Sequence, residues 1–302
     1  MQSNNPIFSR SPEFNGQGST GSGQNAYGNQ TYAGGGQAQQ GFGTPQNPYG
    51  QTQGDPSTWG TGTPTTGAGP TAPMTIDSVV QKTAIALFVV IATAAATWFY
   101  IGDINGADVS DSTLARLNIM LIVGSGAAFG LSLANSFRRV ISPALVLAFC
   151  AAEGVALGAL SKFFDARFGD GIVTQAVIGT FAAFAGTLAA YKILDIKVGQ
   201  KFRTFVVAAM FGMVGLGLLE VVLQMFGNGT GIFGFGGAGL LFAIGGLVLG
   251  VFMLILDFDF VEQGIAAGVD ERESWRAAFA LTVSLVWIYT NLLRILAIFS
   301  QD

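Results

Sequence analysis

Seven long apolar stretches follow one another through the last three quarters of the chain: Val79–Ile101, Leu117–Phe137, Ile141–Ser161, Ile172–Leu194, Thr204–Phe226, Ile232–Leu256 and Ala277–Phe299. Each reaches the roughly 20 residues that a helix needs to cross the hydrocarbon of a bilayer. The stretches are near-continuous rather than alternating, so they predict helices and not barrel strands. The expected fold is an all-α membrane protein with seven transmembrane helices in one domain, residues 76–302.

Residues 1–75 differ in kind. They are rich in Gly, Gln, Asn, Ser, Thr and Pro, and Arg10, Glu13 and Asp55 are their only charges. Such a segment buries too little apolar area to offset the entropy of ordering, and is expected to be a disordered tail. Its scattered aromatics, among them Phe8, Tyr27 and Trp59, have the spacing of weakly self-associating tails. The first apolar stretch lies too far along the chain, and lacks the cleavage site, for a removable secretory signal.

The chain of 302 residues is 50% hydrophobic and 11% charged, a membrane composition. A net charge of −4 with no basic stripe argues against nucleic acid as a partner. There is one cysteine, Cys150, and no histidine, so an intrachain disulfide is excluded and proton sensing falls to carboxylates. No nucleophile with a histidine base can be assembled, and the Gly227–Gly237 run lacks the lysine of a phosphate-binding loop, so no enzyme is expected and no cofactor is called for.

With the tail inside, the inner segments carry Arg10, Lys82, Arg138, Arg139, Lys192, Lys197, Lys201, Arg203, Arg272 and Arg276, and the outer loops only Arg116, Lys162 and Arg167. This asymmetry predicts a cytoplasmic N-terminus and an external C-terminus. The first outer loop, with Asp103, Asp108 and Asp111, is acidic. Glycine pairs at helix-packing spacing, Gly126–Gly130, Gly154–Gly158 and Gly246–Gly250, predict close backbone approaches.

Ionisable groups inside a membrane cost at least ~2.5 kcal/mol each and so mark function. Glu153 falls near mid-membrane, while Glu220 and Arg294 share the outer third, a match in depth that suggests an ion pair. Ser284, Trp287, Asn291 and Arg294 lie on one helical face. Asp257, Asp259 and Glu262 gather where the sixth span ends. Carboxylates are hard ligands suited to Ca²⁺, and a close pair can share a proton, so Asp257 and Asp259 are a candidate gate and weak Ca²⁺ site.

SPALVLAFCAAEGVALGALSKFF, GIVTQAVIGT, LILDFDFVEQG and VWIYTNLLRIL, in this order, resemble the bacterial branch of the Bax inhibitor-1 family, also called the transmembrane Bax inhibitor motif family. The resemblance covers about residues 75–299. It implies a central helix surrounded by six others, a bacterial inner-membrane location, and a pH-sensitive Ca²⁺ leak gated by two aspartates at the cytoplasmic side. Asp257 matches the first aspartate. With the register set by Leu292, Leu293 and Arg294, Ser284 stands at the second and cannot ionise. Asp257 then needs another partner: Asp259, Glu153 or the Ser284 hydroxyl. Ca²⁺ or protons are the implied permeant species. Some bacterial relatives modulate a membrane protease and eukaryotic ones restrain cell death, which leaves an interaction protein, bound to a protease or another membrane protein, as the alternative function.

Overall fold

The computed structural model describes residues 72–102, 104, 110–169 and 171–301. The tail up to residue 71, and with it Asp103 and Asp108 of the acidic loop, lies outside the described residues. Among the described residues seven helices are long and apolar enough to cross a membrane: α1 (Ile76–Ile101), α2 (Asp111–Phe137), α3 (Pro143–Phe168), α4 (Ile172–Ile193), α5 (Gln200–Met225), α6 (Gly237–Ala266) and α7 (Ser274–Phe299). Odd-numbered helices start at one face, called near here, and even-numbered helices start at the far face. The chain is a multi-pass helical membrane protein.

Local chemistry sets the helix ends. Thr75 and Ser78 cap α1 reciprocally, each side chain accepting the other's backbone N–H at 3.1 Å. Just before this cap, Met74 donates its N–H to the carbonyl of Val269, and its side chain is 2% exposed, so residues 72–75 belong to the folded unit. Pro143 opens α3, where its missing N–H costs nothing. A short 3-10 turn, Glu271–Glu273, leads directly into α7.

α3 and α7 form the interior. α3 packs on α1 and α2, while α7 packs on α6, α1, α4 and α3; α5 lies at the edge against α6. One core cluster joins Val146, Phe149, Cys150 and Leu157 of α3 to Tyr289, Leu293 and Ala297 of α7. A second joins Leu254 and Phe258 of α6 to Leu281, Leu285 and Ile288 of α7.

Two of the three glycine pairs make the expected approaches. A Cβ on Gly154 would strike Thr93 and the Val90 carbonyl of α1, and one on Gly158 the Ala94 carbonyl. A Cβ on Gly246 or Gly250 would strike Asn291 or Ile288 of α7. Gly126 and Gly130 are a correction: nothing lies within 4 Å of a Cβ on either. The contact of α2 with α3 runs instead through Gly124, where an added Cβ would stand 2.7 Å from the Ala156 nitrogen. Gly126 is two residues beyond Gly124, about 200° around the helix, and so points away from α3.

The sixth helix also departs from expectation. Residues 232–235 are apolar, yet they sit among Gly231, Gly234 and Gly236 and form turns, so the helix starts at Gly237. At its other end it continues through the acidic residues to Ala266. Its 30 residues exceed the roughly 20 that the bilayer requires, which lets the last three turns carry charge.

Candidate functional site

Asp257 on α6 and Ser284 on α7 meet. The Ser284 hydroxyl, fully buried, donates to Asp257 Oδ2 at 2.5 Å. Leu254, Leu281, Leu285 and Ile288, all buried, form the apolar cluster along this interface. Of the partners open to Asp257, the hydroxyl is the one in contact.

Asp259 does not join it. Two residues apart on a helix means about 200° of rotation, so Asp257 and Asp259 leave α6 on opposite sides. Asp259 accepts from Arg203 of α5 at 3.0 Å and from Gln263 at 2.7 Å. Glu262 turns to α4, where the Tyr191 hydroxyl donates to it at 2.6 Å and Lys192 stands 3.8 Å away. The three carboxylates therefore tie α6 to three different helices. No group of three or more potential metal-ligating side chains converges among the described residues, and Asp257 and Asp259 are bound to different helices.

The polar face of α7 points at α6 throughout. Above Ser284, Trp287 Nε1 donates to the Gly246 carbonyl at 2.8 Å, and Asn291 packs on Gly246 while donating to the Trp287 carbonyl at 2.7 Å. Arg294 continues the stripe, donating to the carbonyls of Ile232 and Gly234 in the loop before α6 and standing over the rings of Phe233 and Phe242 at 5.7 and 5.8 Å.

Glu220 and Arg294 do share a depth, each five residues from the far end of its helix. They form no ion pair. Both grip the same loop instead. Glu220, 1% exposed, accepts from the backbone N–H groups of Thr230 and Gly231, each at 2.9 Å, and from the side chains of Thr230 and Gln224. Arg294 takes the carbonyls that follow. Left-handed backbone at Gly227 and Gly231, φ +75° and +79°, turns the loop so that its amides reach the carboxylate. Charge counting cannot reveal this arrangement, because neither charge meets an opposite one: Arg294 binds backbone carbonyls, and Glu220 backbone amides and two neutral side chains. The one signal for it is the run of small residues other than proline, Asn228-Gly229-Thr230-Gly231.

Glu153 stands apart. It is half-buried on α3, and among the described residues its carboxylate has no hydrogen-bond or ion-pair partner. It lies ten residues into α3, as Ser284 lies ten residues into α7, so both sit about 15 Å from the near end of their helices. Sequence reasoning also passed over a buried bond between Ser161 and the Tyr289 hydroxyl, 2.6 Å, which fastens α3 to α7.

Seven spanning helices, carboxylates held by hydroxyls and backbone amides, and a polar stripe on an interior helix define a polytopic membrane protein with an internal polar seam. The family described as Bax inhibitor 1 like matches residues 5–301, and the chain belongs to that family. No curated protein matches the chain.

Proposed function

We propose that the protein is a pH-sensitive Ca²⁺ leak whose gate is the contact between Asp257 and Ser284. The reading rests on one observation: a carboxylate of α6 is bound to a fully buried hydroxyl of α7 in apolar surroundings, at the level where the family resemblance places two aspartates. The bond ties α6 to α7, and opening requires it to break. A serine cannot supply the like-charge repulsion that couples two neighbouring carboxylates to protons, so the pH response is shallower than a two-aspartate gate would give. Glu153, at the same level and without a hydrogen-bond or ion-pair partner among the described residues, is a candidate for a carboxylate along the path. The near face, which carries nine of the basic residues of the described segments, is the cytoplasmic face of a bacterial inner membrane, with Met1 inside and Asp302 outside. The role is non-enzymatic.

One observation favours an interaction protein as the second reading. Gly126 and Gly130 open outward from α2 with nothing over them, and this spacing lets a foreign helix approach closely. A membrane protease is the partner class for that reading.

Ca²⁺ entry into liposomes holding the purified protein, followed over roughly pH 5–8, separates the two. Wild type is expected to conduct with a shallow pH profile, Ser284→Asp to steepen it, and Asp257→Asn to flatten it. Identical profiles in all three would refute the gate. No flux at all would refute the leak and favour the partner-dependent role.

A further inference from the structure

At the near face the α2–α3 turn and the turn before α7 frame an open depression of about 560 Å³ lined by Arg138, Arg139, Val140, Ile141, Ser142, Pro143 and Arg272. That volume lies within the roughly 300–1,000 Å³ of small-molecule sites. Three guanidiniums around one depression are a concentrated positive charge, and two of the three neighbouring carboxylates, Glu271 and Glu273, are engaged by other cations. Glu271 is taken by Lys82 at 2.9 Å and Glu273 by Arg276 at 2.9 Å, while Asp270 accepts from the backbone N–H of Arg272. Arg138, Arg139 and Arg272 have no ion-pair partner among the described residues. The turn itself is pinned, because Arg276 donates to the Arg139 carbonyl at 2.9 Å. Ser142 provides no side-chain cap to α3, so the positive end of that helix adds to the same field.

We infer that this depression binds the phosphate headgroup of an anionic phospholipid from the near-face leaflet. Arginine suits a phosphate through paired N–H donors. Two features select a lipid over a soluble anion. The depression joins the ends of membrane-spanning helices, at the level where headgroups lie. Phe137, 83% exposed, and Val140, 60% exposed, flank the arginines and offer apolar surface to the glycerol and the first acyl carbons.

The test is native mass spectrometry of the full-length protein in detergent with added phosphatidylglycerol or phosphatidylcholine. Wild type is expected to retain phosphatidylglycerol and not phosphatidylcholine. Each arginine lost should weaken retention roughly fivefold, and R138Q/R139Q/R272Q together about a hundredfold. R116Q/R167Q, which removes two arginines of the far face, should retain the lipid as wild type does. All three substituted side chains are exposed, and an unchanged melting temperature of the triple variant separates lost binding from lost folding. A triple variant that fails to fold is replaced by R272Q alone, for which the fivefold loss is the expectation. Equal retention by wild type and the triple variant, or equal loss in the far-face control, would overturn the proposal. Displacement of the lipid by millimolar inorganic phosphate would overturn the choice of a lipid over a soluble anion.

Discussion

Alanine at glycine separates the helix contacts that hold this bundle from those that the sequence only suggests. A methyl group on Gly154 or Gly158 must displace backbone of α1, the carbonyls of Val90 and Ala94, and for Gly158 also Thr97 Cβ at 2.9 Å. Backbone cannot move aside as a flexible side chain does, so α1 must lift from α3. Overpacking of this kind costs about 1–3 kcal/mol per site. Alanine returns at most ~1 kcal/mol through its better helix propensity. Steric cost wins, and Gly154→Ala and Gly158→Ala are each expected to destabilise, the double variant more than either. Gly126→Ala and Gly130→Ala meet open space, so they keep the propensity gain and cost nothing. The assay is thermal unfolding of the purified protein in one detergent, where ~1 kcal/mol corresponds to roughly 2–4 °C for a domain of this size. Equal losses for the α2 and α3 pairs would refute the assignment of the close approach to α1 and α3.

Other substitutions test the loop and the core. Glu220→Gln is expected to speed amide hydrogen exchange at Thr230 and Gly231, whose N–H groups it holds, whereas Arg294→Gln frees carbonyls and changes those two amides less. A direct ion pair would make the double change milder than either single one; worsening on combination is expected here. Cys150→Ala removes one atom from a fully buried side chain, and should cost about 0.5–1.5 kcal/mol, the scale of one buried methyl. In the folded wild type the thiol should resist maleimide. Rapid labelling would show that α3 is not packed at this level.

The helices were legible because lipid demands one thing of a spanning segment, continuous apolar length, and sequence displays length directly. Their ends were less legible. Ile232 and Phe233 are as apolar as any core residue, but glycines on either side favour turns, and hydrophobicity alone does not register that. Asp257, Asp259 and Glu262 look like a stop signal, yet neighbours on α7, α5 and α4 satisfy each of them and the helix runs on. The polar stripe of α7 was readable from spacing, because one face of one helix is a local property. The partners of Glu220 and Arg294 were not, since both bind main-chain atoms of a loop whose path depends on two left-handed glycines.

Those loop contacts bear on how the proposed gate could move. α5 is the least buried of the seven helices and rests against α6, so polar ties fix its two ends: Arg203 to Asp259 near one face and Glu220 to the loop that leads into α6 near the other. Only the first of these ties reaches α6 itself. Asp257 and Asp259 project from opposite sides of that helix, so a rotation that draws Asp257 away from Ser284 also swings Asp259 relative to Arg203. Breaking the α6–α7 bond and loosening the near end of α5 become one event. The far end behaves differently, because there the loop is gripped by α5 through Glu220 and by α7 through Arg294, and a small rotation of α6 leaves both grips in place. On the proposed reading, the near half of the bundle is the part that opens and the far half is its hinge.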